Sequence, residues 1–257
     1  MIISPFNTGF FVLMAAMVAI IILLSLTLRK ASDKVRRLVI IGICVLDIII
    51  FFFYKLALSH DAEFLEISGQ AEFNWFSELP LQLCNINMFL IPIALLIKKR
   101  GLLSFCFFIA PLGALMAMLS PEPAFTGYSL FIPRIAGFYV THLIVMMAGI
   151  LIVTMGFYRP HFKDLPLTLL TMLLLVTAIH GVNLLLRATV CPNANYFFTI
   201  WTGDVSILDA FWNIIPHSYW YLYLALVIAL PYFAIVTMCF FVVDKMKAKR
   251  KKTDFVE

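Results

Sequence analysis

The sequence consists of long apolar runs that are separated by short polar connections. The first run, residues 9–28, contains no charged side chain. It has the length of about 20 residues that a helix needs to cross the hydrocarbon core of a bilayer. The whole chain is 63% hydrophobic and 13% charged, whereas about a quarter of the residues in a soluble domain are charged. We therefore predict an all-α fold, a polytopic membrane helix bundle without a soluble domain.

The apolar runs predict seven transmembrane helices. Together they form one transmembrane domain, residues 1–243, and residues 244–257 follow as a basic tail. The sequence shows no internal repeat. The approximate limits of the seven predicted helices are residues 9–28, 38–58, 79–97, 102–119, 134–157, 165–187 and 219–243.

The basic residues are distributed unequally between the two ends of these helices. Of the 19 Lys and Arg residues, 16 lie on one side: five after the first helix, three after the third, two after the fifth and six in the tail. Because loops rich in Lys and Arg stay in the cytoplasm, this distribution predicts a cytoplasmic C-terminus and an external N-terminus. The exceptions Lys55, Arg134 and Arg187 lie at helix ends on the other side, where they are most simply interfacial anchors or, alternatively, ligands of a phosphate headgroup.

The third run begins with polar residues that hydrocarbon does not tolerate without partners. Gln82, Asn85 and Asn87 surround Cys84 within the first half of the predicted helix 79–97. Each amide needs a hydrogen-bond partner at membrane depth. We therefore expect Cys84 to lie in a polar pocket or a helix–helix contact rather than against lipid.

Three reactive side chains are predicted to lie at similar depths in the outer leaflet. At ~1.5 Å per residue, Cys84 lies about 8 Å below the outer end of its helix, His142 about 12 Å and His180 about 10 Å. Other polar residues accompany them at helical spacing, namely Asn87, Tyr139, Asn183 and Arg187. The polar residues of three helices can therefore converge on one buried pocket. We expect Cys84, His142 and His180 to be its catalytic residues and the accompanying polar residues to bind the substrate.

These residues suggest a nucleophile with its base, but other interpretations stay open. A histidine can favour the thiolate of a cysteine and return the proton to a leaving group. Taken singly, however, Cys84 is typical of a packing residue and the amides of interhelical contacts. Cys84, His142 and His180 are also acceptable zinc ligands, although they lack motif spacing. Asp47, His142 and His180 could instead relay protons in a transporter, although no repeated halves accompany them.

Several short segments resemble, in the same order, the YwaF-type integral membrane proteins of bacteria. These proteins look related to an animal transmembrane phospholipid acyltransferase, and more distantly to lipid hydrolases of the androgen-induced-protein type, which use Thr and His. The likeness covers most of the chain after the first helix. The segments are LPLQLCNINMFLIPIALL at 79–96, LSPEP at 119–123, YVTHLI at 139–144, HGVNLLL at 180–186, CPNANYFF at 191–198 and SILDAFW at 206–212.

The resemblance implies roles for individual residues. By position, Cys84 matches the proposed nucleophile of the family and His142 its proposed base. His180 matches a further histidine, while Asn195 and Tyr196 match a loop motif that we expect to contribute to substrate binding. The chain departs from the family at 199–204, where relatives often have a Lys-Pro step, and at 212–217, where they tend to be richer in Trp-Pro.

We interpret the chain as a membrane-embedded Cys–His lipid acyltransferase or acyl hydrolase that acts from the outer leaflet of a bacterial plasma membrane. Its expected partners are the bilayer and a membrane lipid as substrate, without a cofactor, a resident metal or nucleic acid. The net charge of +5 arises from loop residues at regular intervals and does not indicate nucleic-acid binding. A transporter, or a receptor-like or assembly protein without catalysis, is the alternative. The sequence does not determine the acyl donor, the acceptor or the oligomeric state.

The charge distribution yields a direct test of orientation. An enzymatic reporter that is active only in the cytoplasm, fused after Glu257, should be active in intact cells because the basic loops stay inside. The matched fusion carries a reporter that is active only outside and should be silent. The opposite pattern would overturn the orientation and the outer-leaflet placement of the pocket.

Overall fold

The protein is a bundle of membrane-length helices joined by shorter segments. The computed structural model describes residues 1–203, 206–214 and 220–253. Within these residues, six helices are long and apolar enough to cross a membrane. The helices in chain order are α1 (Thr8–Thr27), α2 (Asp33–Leu58), α3 (Ala62–Ile67), α4 (Asn87–Ile97), α5 (Arg100–Leu119), α6 (Pro133–Thr154), α7 (Leu165–Thr189), α8 (Ser206–Ile214), α9 (Trp220–Tyr223) and α10 (Leu230–Thr253).

The expected membrane helix bundle is confirmed, with one addition. A small antiparallel sheet joins β1 (Ile2–Ile3) to β2 (Tyr128–Ser129) in the α5–α6 connection. The sheet fixes the N-terminus beside that connection. We call this end of the bundle the acidic end, because Asp61, Glu63 and Glu78 lie there, and the opposite end the basic end.

Local chemistry explains where the long helices begin. Asn7 caps α1 by accepting a hydrogen bond from the N–H of Phe10 at 2.9 Å. Ser32 caps α2 in the same way through the N–H of Val35. Helices α6 and α7 each begin with a proline in the first turn, where the missing N–H has no helical partner to lose.

The third predicted helix is wrong in its first half. Residues 79–86 form turns, and α4 covers only the 11 residues Asn87–Ile97. Tertiary contacts compete with the helix here: the N–H of Leu79 donates to the hydroxyl of Tyr196 at 2.9 Å. Gln82 accepts a hydrogen bond from the N–H of Phe197 at 3.0 Å. Non-helical backbone at membrane depth is tolerated where protein surrounds it or where it borders a cavity, and both hold for this segment.

The last helical region also differs from the prediction for residues 219–243. Residue 219 lies outside the described residues. The chain is helical from Trp220, passes through a π-helical segment at Leu224–Ala229 and continues as α10. The membrane-length part of this region is Leu226–Ala248. The predicted tail 244–257 begins as a continuation of α10, and residues 254–257 lie outside the described part of the chain.

Helix α6 is the centre of the bundle and packs against both α2 and α5. Two glycines on α6 make these contacts close. A Cβ atom on Gly137 would lie 2.4 Å from the ring of Tyr54 on α2, and one on Gly149 would lie 2.9 Å from Ala110 on α5. Close approach of helices at small residues is the usual mode of packing in membranes.

Arg134 is not the interfacial anchor that the sequence suggested. Its side chain is buried and donates to the carboxylates of Asp61 and Glu63, at 2.9 Å and 2.7 Å at the shortest. It also donates to the carbonyl of Ala124 at 3.0 Å. The arginine therefore joins the start of α6 to the segments before α4 and after α5, and it fixes the acidic end.

A polar network at the basic end fixes α5 against α7. Arg100 makes a paired contact with the carboxylate of Asp164, with both distances at 2.7 Å. Tyr158 donates to Ser104 at 2.9 Å, and the hydroxyls of Ser104 and Thr168 are hydrogen-bonded to each other. This network determines the register of α5 and α7, which border the site described next.

Gly137 tests whether the α2–α6 contact sets the stability of the bundle. Gly137→Ala should destabilise the protein by about 1–3 kcal/mol, because the added methyl overlaps the ring of Tyr54. Unfolding in detergent can be followed with a thiol-reactive dye, since four of the five free cysteines are buried. Gly42→Ala on α2 is the control, because nothing lies within 4 Å of its added methyl. Equal melting temperatures for the two variants would contradict the assigned contact.

Candidate functional site

Cys84 and His142 are in direct contact inside the bundle. The Sγ atom of Cys84 lies 3.3 Å from Nε2 of His142, although the two residues are 58 positions apart. Their exposed fractions are 5% and 7%. Cys84 lies in the turns just before α4, and His142 lies on α6. The structure thus brings together two of the three residues that the sequence placed at similar depth.

The backbone of α6 determines which nitrogen of His142 faces the thiol. Nδ1 lies 2.6 Å from the carbonyl oxygen of Phe138, one turn earlier on the same helix. A carbonyl only accepts hydrogen bonds, so Nδ1 carries the hydrogen. In the neutral ring Nε2 is then the unprotonated nitrogen, and its lone pair points to Sγ of Cys84. His142 is therefore oriented as an acceptor for the thiol proton.

Backbone groups complete the surroundings of the sulfur. The backbone N–H groups of Cys84 and Asn85 both face Sγ, and the side-chain oxygen of Asn85 lies 3.5 Å from it. The next residues begin α4, so the sulfur lies at the amino end of a helix.

The pair borders a cavity of about 330 Å³. One part of the cavity carries charged side chains, namely Lys55, Glu78 and Glu122, all at the acidic end. Another part is apolar and is formed by α5, α7 and the π-helical segment before α10. The cavity therefore combines a charged end, a thiol–imidazole pair and an apolar region.

Lys55 belongs to this cavity and is not the interfacial anchor that the sequence suggested. Its side chain is 7% exposed, forms an ion pair with Glu78 and lies 3.1 Å from the hydroxyl of Tyr54. The sequence analysis missed this ion pair. The charge distribution contained a signal for it. The connection 60–78 has five acidic residues and no Lys or Arg, and it lies on the same side as the three exceptional basic residues, so ion pairs between them could have been predicted.

Glu122 provides a second carboxyl group at the charged end. It lies in the α5–α6 connection, and most of its surroundings are protein although the residue keeps access to solvent. Burial raises the pKa of its carboxyl group, and the nearby charge of Glu78 raises the pKa further, whereas Lys55 opposes both. We call the charged end the mouth of the cavity, because Glu122 is exposed there, and it contains two acids and one base.

Asn183 and Tyr196 hold the loop after α7 over the cavity. The amide of Asn183 donates to the carbonyl of Tyr196 and to the hydroxyl of Thr199, each at 2.8 Å, and accepts from the N–H of Tyr196 at 2.8 Å. The hydroxyl of Tyr196 donates to the carbonyl of Phe76 at 2.8 Å. Tyr196 borders the cavity, while Asn183 lies behind it. Both residues support the site through the loop.

His180, Arg187 and Asn195 belong to this supporting layer rather than to the cavity wall. Nδ1 of His180 lies 3.1 Å from the hydroxyl of Thr199. Arg187 donates to the carbonyl of Ala194 at 3.4 Å. The amide of Asn195 bonds to the backbone of 200–201. Among the residues that the structure describes, none of the three borders the cavity.

Several buried polar side chains in the described part of the chain have incomplete hydrogen bonding, and three of them are residues that the sequence singled out. Asn87 donates to the carbonyl of Leu83 at 2.7 Å, but its side-chain oxygen has no partner among the described residues. The hydroxyl of Tyr139 and both carboxyl oxygens of Asp47 also have none there. The exposed fraction of Asp47 is 0%. Native structures contain few such groups, so each calls for an explanation.

The described residues do not form the zinc site that was considered from the sequence. Within that part of the chain, no group of three or more His, Cys, Asp or Glu side chains has a metal-binding arrangement. His180 contacts Thr199, while Cys84 and His142 contact each other.

Comparison with known proteins identifies a family. No curated protein sequence and no solved structure matches the chain. A family model does match, however, and it covers residues 3–237, which include every helix that borders the cavity. Because this match extends over nearly the whole chain, the protein belongs to the TMEM164 family, a family of transmembrane proteins.

Proposed function

We propose that this protein transfers or hydrolyses an acyl group of a membrane lipid, with Cys84 as nucleophile and His142 as base. The observation that carries the proposal is the 3.3 Å contact between Sγ and Nε2 inside a cavity that is charged at one end and apolar elsewhere. Such a cavity fits an amphiphile. The resemblance to YwaF-type proteins and to an animal phospholipid acyltransferase supports the same two residues.

The first chemical step forms a thioester. Nε2 of His142 takes the proton of the Cys84 thiol, and the sulfur attacks the carbonyl carbon of a lipid ester. The bond between that carbon and the ester oxygen breaks, and the imidazolium returns its proton to the leaving alcohol. The acyl group is then bound to Sγ, and the histidine is neutral again.

The second step releases the acyl group to an acceptor. A lipid hydroxyl gives acyl transfer and water gives hydrolysis: its oxygen attacks the thioester carbonyl while His142 removes its proton. The bond between the carbonyl carbon and Sγ then breaks, and the imidazolium returns the proton to the sulfur, which restores the Cys84 thiol and the neutral histidine. We assign the backbone N–H groups of Cys84 and Asn85, which act on the sulfur, as candidate donors for the negative oxygen of the tetrahedral intermediate. No cofactor enters either step.

The placement of the reaction follows from the charge distribution. With the basic end in the cytoplasm, the acidic end of the bundle and the charged mouth of the cavity face the outside. The substrate is then a lipid of the outer leaflet of the plasma membrane. The short helix α4 completes the third of seven crossings, after the non-helical segment 79–86.

Proton-coupled transport is the second candidate function, and Asp47 is the observation in its favour. A carboxyl group that is fully buried and without a partner among the described residues is costly in a membrane helix and often functional. Asp47 is close enough to Cys84 for its charge to act on the thiol. We assign Asp47 a structural role, since the thiol–imidazole pair accounts for the cavity without a proton pathway.

Substitution of the pair tests the acyl-transfer proposal. Cys84→Ala should abolish acyl transfer, because no nucleophile remains, and Cys84→Ser should do nearly the same, because a hydroxyl ionises far less readily than a thiol. His142→Ala should lower the rate by about 10²–10⁴-fold. The double variant should be hardly worse than either single one, since residues that act as a unit are not additive. His180→Ala should have a milder effect, because it acts through Thr199.

The measurement is intact-protein mass spectrometry after reconstitution into vesicles of total lipid extract. We expect an acyl adduct that hydroxylamine removes and that Cys84→Ala lacks. Cys106→Ala is the matched control, since this thiol is buried in the apolar core away from the cavity wall. Full lipid turnover by Cys84→Ala would return Cys84 to a packing role.

Asp47→Asn separates the two candidate functions. The variant keeps the size of the side chain and removes its charge, so acyl transfer should persist with some change in melting temperature. The measurements are lipid turnover in vesicles and proton flux across them. Loss of turnover in a stably folded variant, together with loss of proton flux, would favour transport over acyl transfer.

A further inference from the structure

The cavity changes from charged to apolar along the bundle axis, with the thiol between the two regions. A Cβ atom on Gly113 of α5 would lie 3.4 Å from the backbone nitrogen of Cys84. Gly113 therefore marks the level of the thiol on α5. The charged residues Lys55, Glu78 and Glu122 lie on the acidic side of this level, in the outer turn of α2 and in the connections that follow α3 and α5.

The register of α5 and α7 places the apolar region on the other side of the thiol. Ser104 and Thr168 are hydrogen-bonded across these two parallel helices. Gly113 lies nine residues beyond Ser104, whereas Met172, which borders the cavity, lies only four residues beyond Thr168. The difference is five residues, so at ~1.5 Å per residue the cavity extends about 7.5 Å past the thiol towards the basic end.

An aromatic pair lies in the layer behind the cavity wall on the α5 side, at the level where the extension ends, and neither of its rings borders the cavity itself. Leu112 of α5 and Ala229 of the π-helical segment both border the cavity. One helical turn further towards the basic end, Phe108 and Phe233 pack ring against ring with centroids 4.8 Å apart, and neither ring is exposed. Tyr232 packs on the other side of Phe108, with ring centroids 6.1 Å apart. We call the Phe108–Phe233 pair the aromatic floor.

We infer that the apolar extension holds the acyl chain of the lipid and that the aromatic floor sets the longest chain that is accepted. This inference rests on the proposed function, because it needs the acyl carbonyl at Cys84. A volume of about 330 Å³ is at the small end for ligand sites, so it admits one chain and not a whole two-chain lipid. The carbonyl then lies at the thiol, the headgroup lies at the charged mouth and the methyl end points to the floor.

Substitutions with opposite effects on depth test the inference. Phe233→Leu makes a floor residue smaller, so the longest accepted acyl chain should become longer. Ala229→Leu fills part of the apolar extension, so the longest accepted acyl chain should become shorter. Each methylene that enters or leaves the apolar region should change the relative reactivity by about fourfold. Phe241→Leu is the matched control, because it is the same change on the same helix at a side chain that is 46% exposed.

The probes are N-alkyl chloroacetamides from N-butyl to N-hexadecyl, which alkylate Cys84 without turnover. Intact-protein mass spectrometry gives the labelling at each chain length, with Cys84→Ala correcting for the other thiols. We expect the chain-length limit to rise in Phe233→Leu, to fall in Ala229→Leu and to match the wild type in Phe241→Leu. Long probes partition into detergent or lipid, but they do so equally for every protein. The ratio of variant to wild-type labelling at each chain length therefore removes this effect.

The outcomes separate this inference from the proposed function. The same chain-length dependence in all four proteins would overturn the acyl-chain site, even if Cys84 reacts and lipid turnover is observed. A shift in the limit without any lipid turnover would support the site and overturn the acyl-transfer proposal. If Phe233→Leu fails to fold, Ala229→Leu still tests the inference, because it should lower the chain-length limit. Phe108→Leu, which changes the other ring of the floor, should then raise the limit.

Discussion

The hydrogen bonding of the non-helical segment 79–86 is the constraint on which the rest of the site depends. A helix satisfies its own backbone groups in the membrane, but this segment has to find partners elsewhere. The loop after α7 supplies them through the hydroxyl of Tyr196 and the N–H of Phe197. Asn183 in turn holds Tyr196 in place. A distant loop and the residues before α4 are therefore one structural unit.

The late start of α4 determines the chemistry of Cys84. In a continuous helix 79–97 the N–H groups of residues 84 and 85 would be used by the preceding turn. Here they face the sulfur, and the thiol lies at the amino end of α4. His142 approaches from α6 with its ring fixed by the carbonyl of Phe138. The break in the helix and the placement of the thiol thus have the same cause.

The sequence predicts those features of the structure that depend only on position along the membrane normal. Apolar length predicts the membrane helices, and depth predicts that Cys84 and His142 lie at one level. Depth says nothing about the direction in which a side chain points around its helix. His180 has a similar depth but contacts Thr199, and Lys55 turns inward to Glu78. Such contacts depend on helix rotation and on partners far along the chain, which no local pattern contains. The break before Asn87 was missed for the same reason, since Tyr196 and Phe197 lie more than a hundred residues away.

Under the proposed function, the charges of the cavity orient an amphiphilic substrate. A buried ion pair such as Lys55–Glu78 contributes little net stability, because both groups lose their hydration. Folding alone therefore does not explain why three charged groups surround the mouth while Leu112, Met172 and Ala229 border the opposite part. An amphiphile with its polar group at the mouth places that group beside the charged residues and its chain beside the apolar ones. The inverted orientation would bury the polar group among apolar side chains and place the chain beside charges. In the proposed reaction, the ester carbonyl that joins the polar group to the chain then lies between the two regions, at the level of Cys84 and His142.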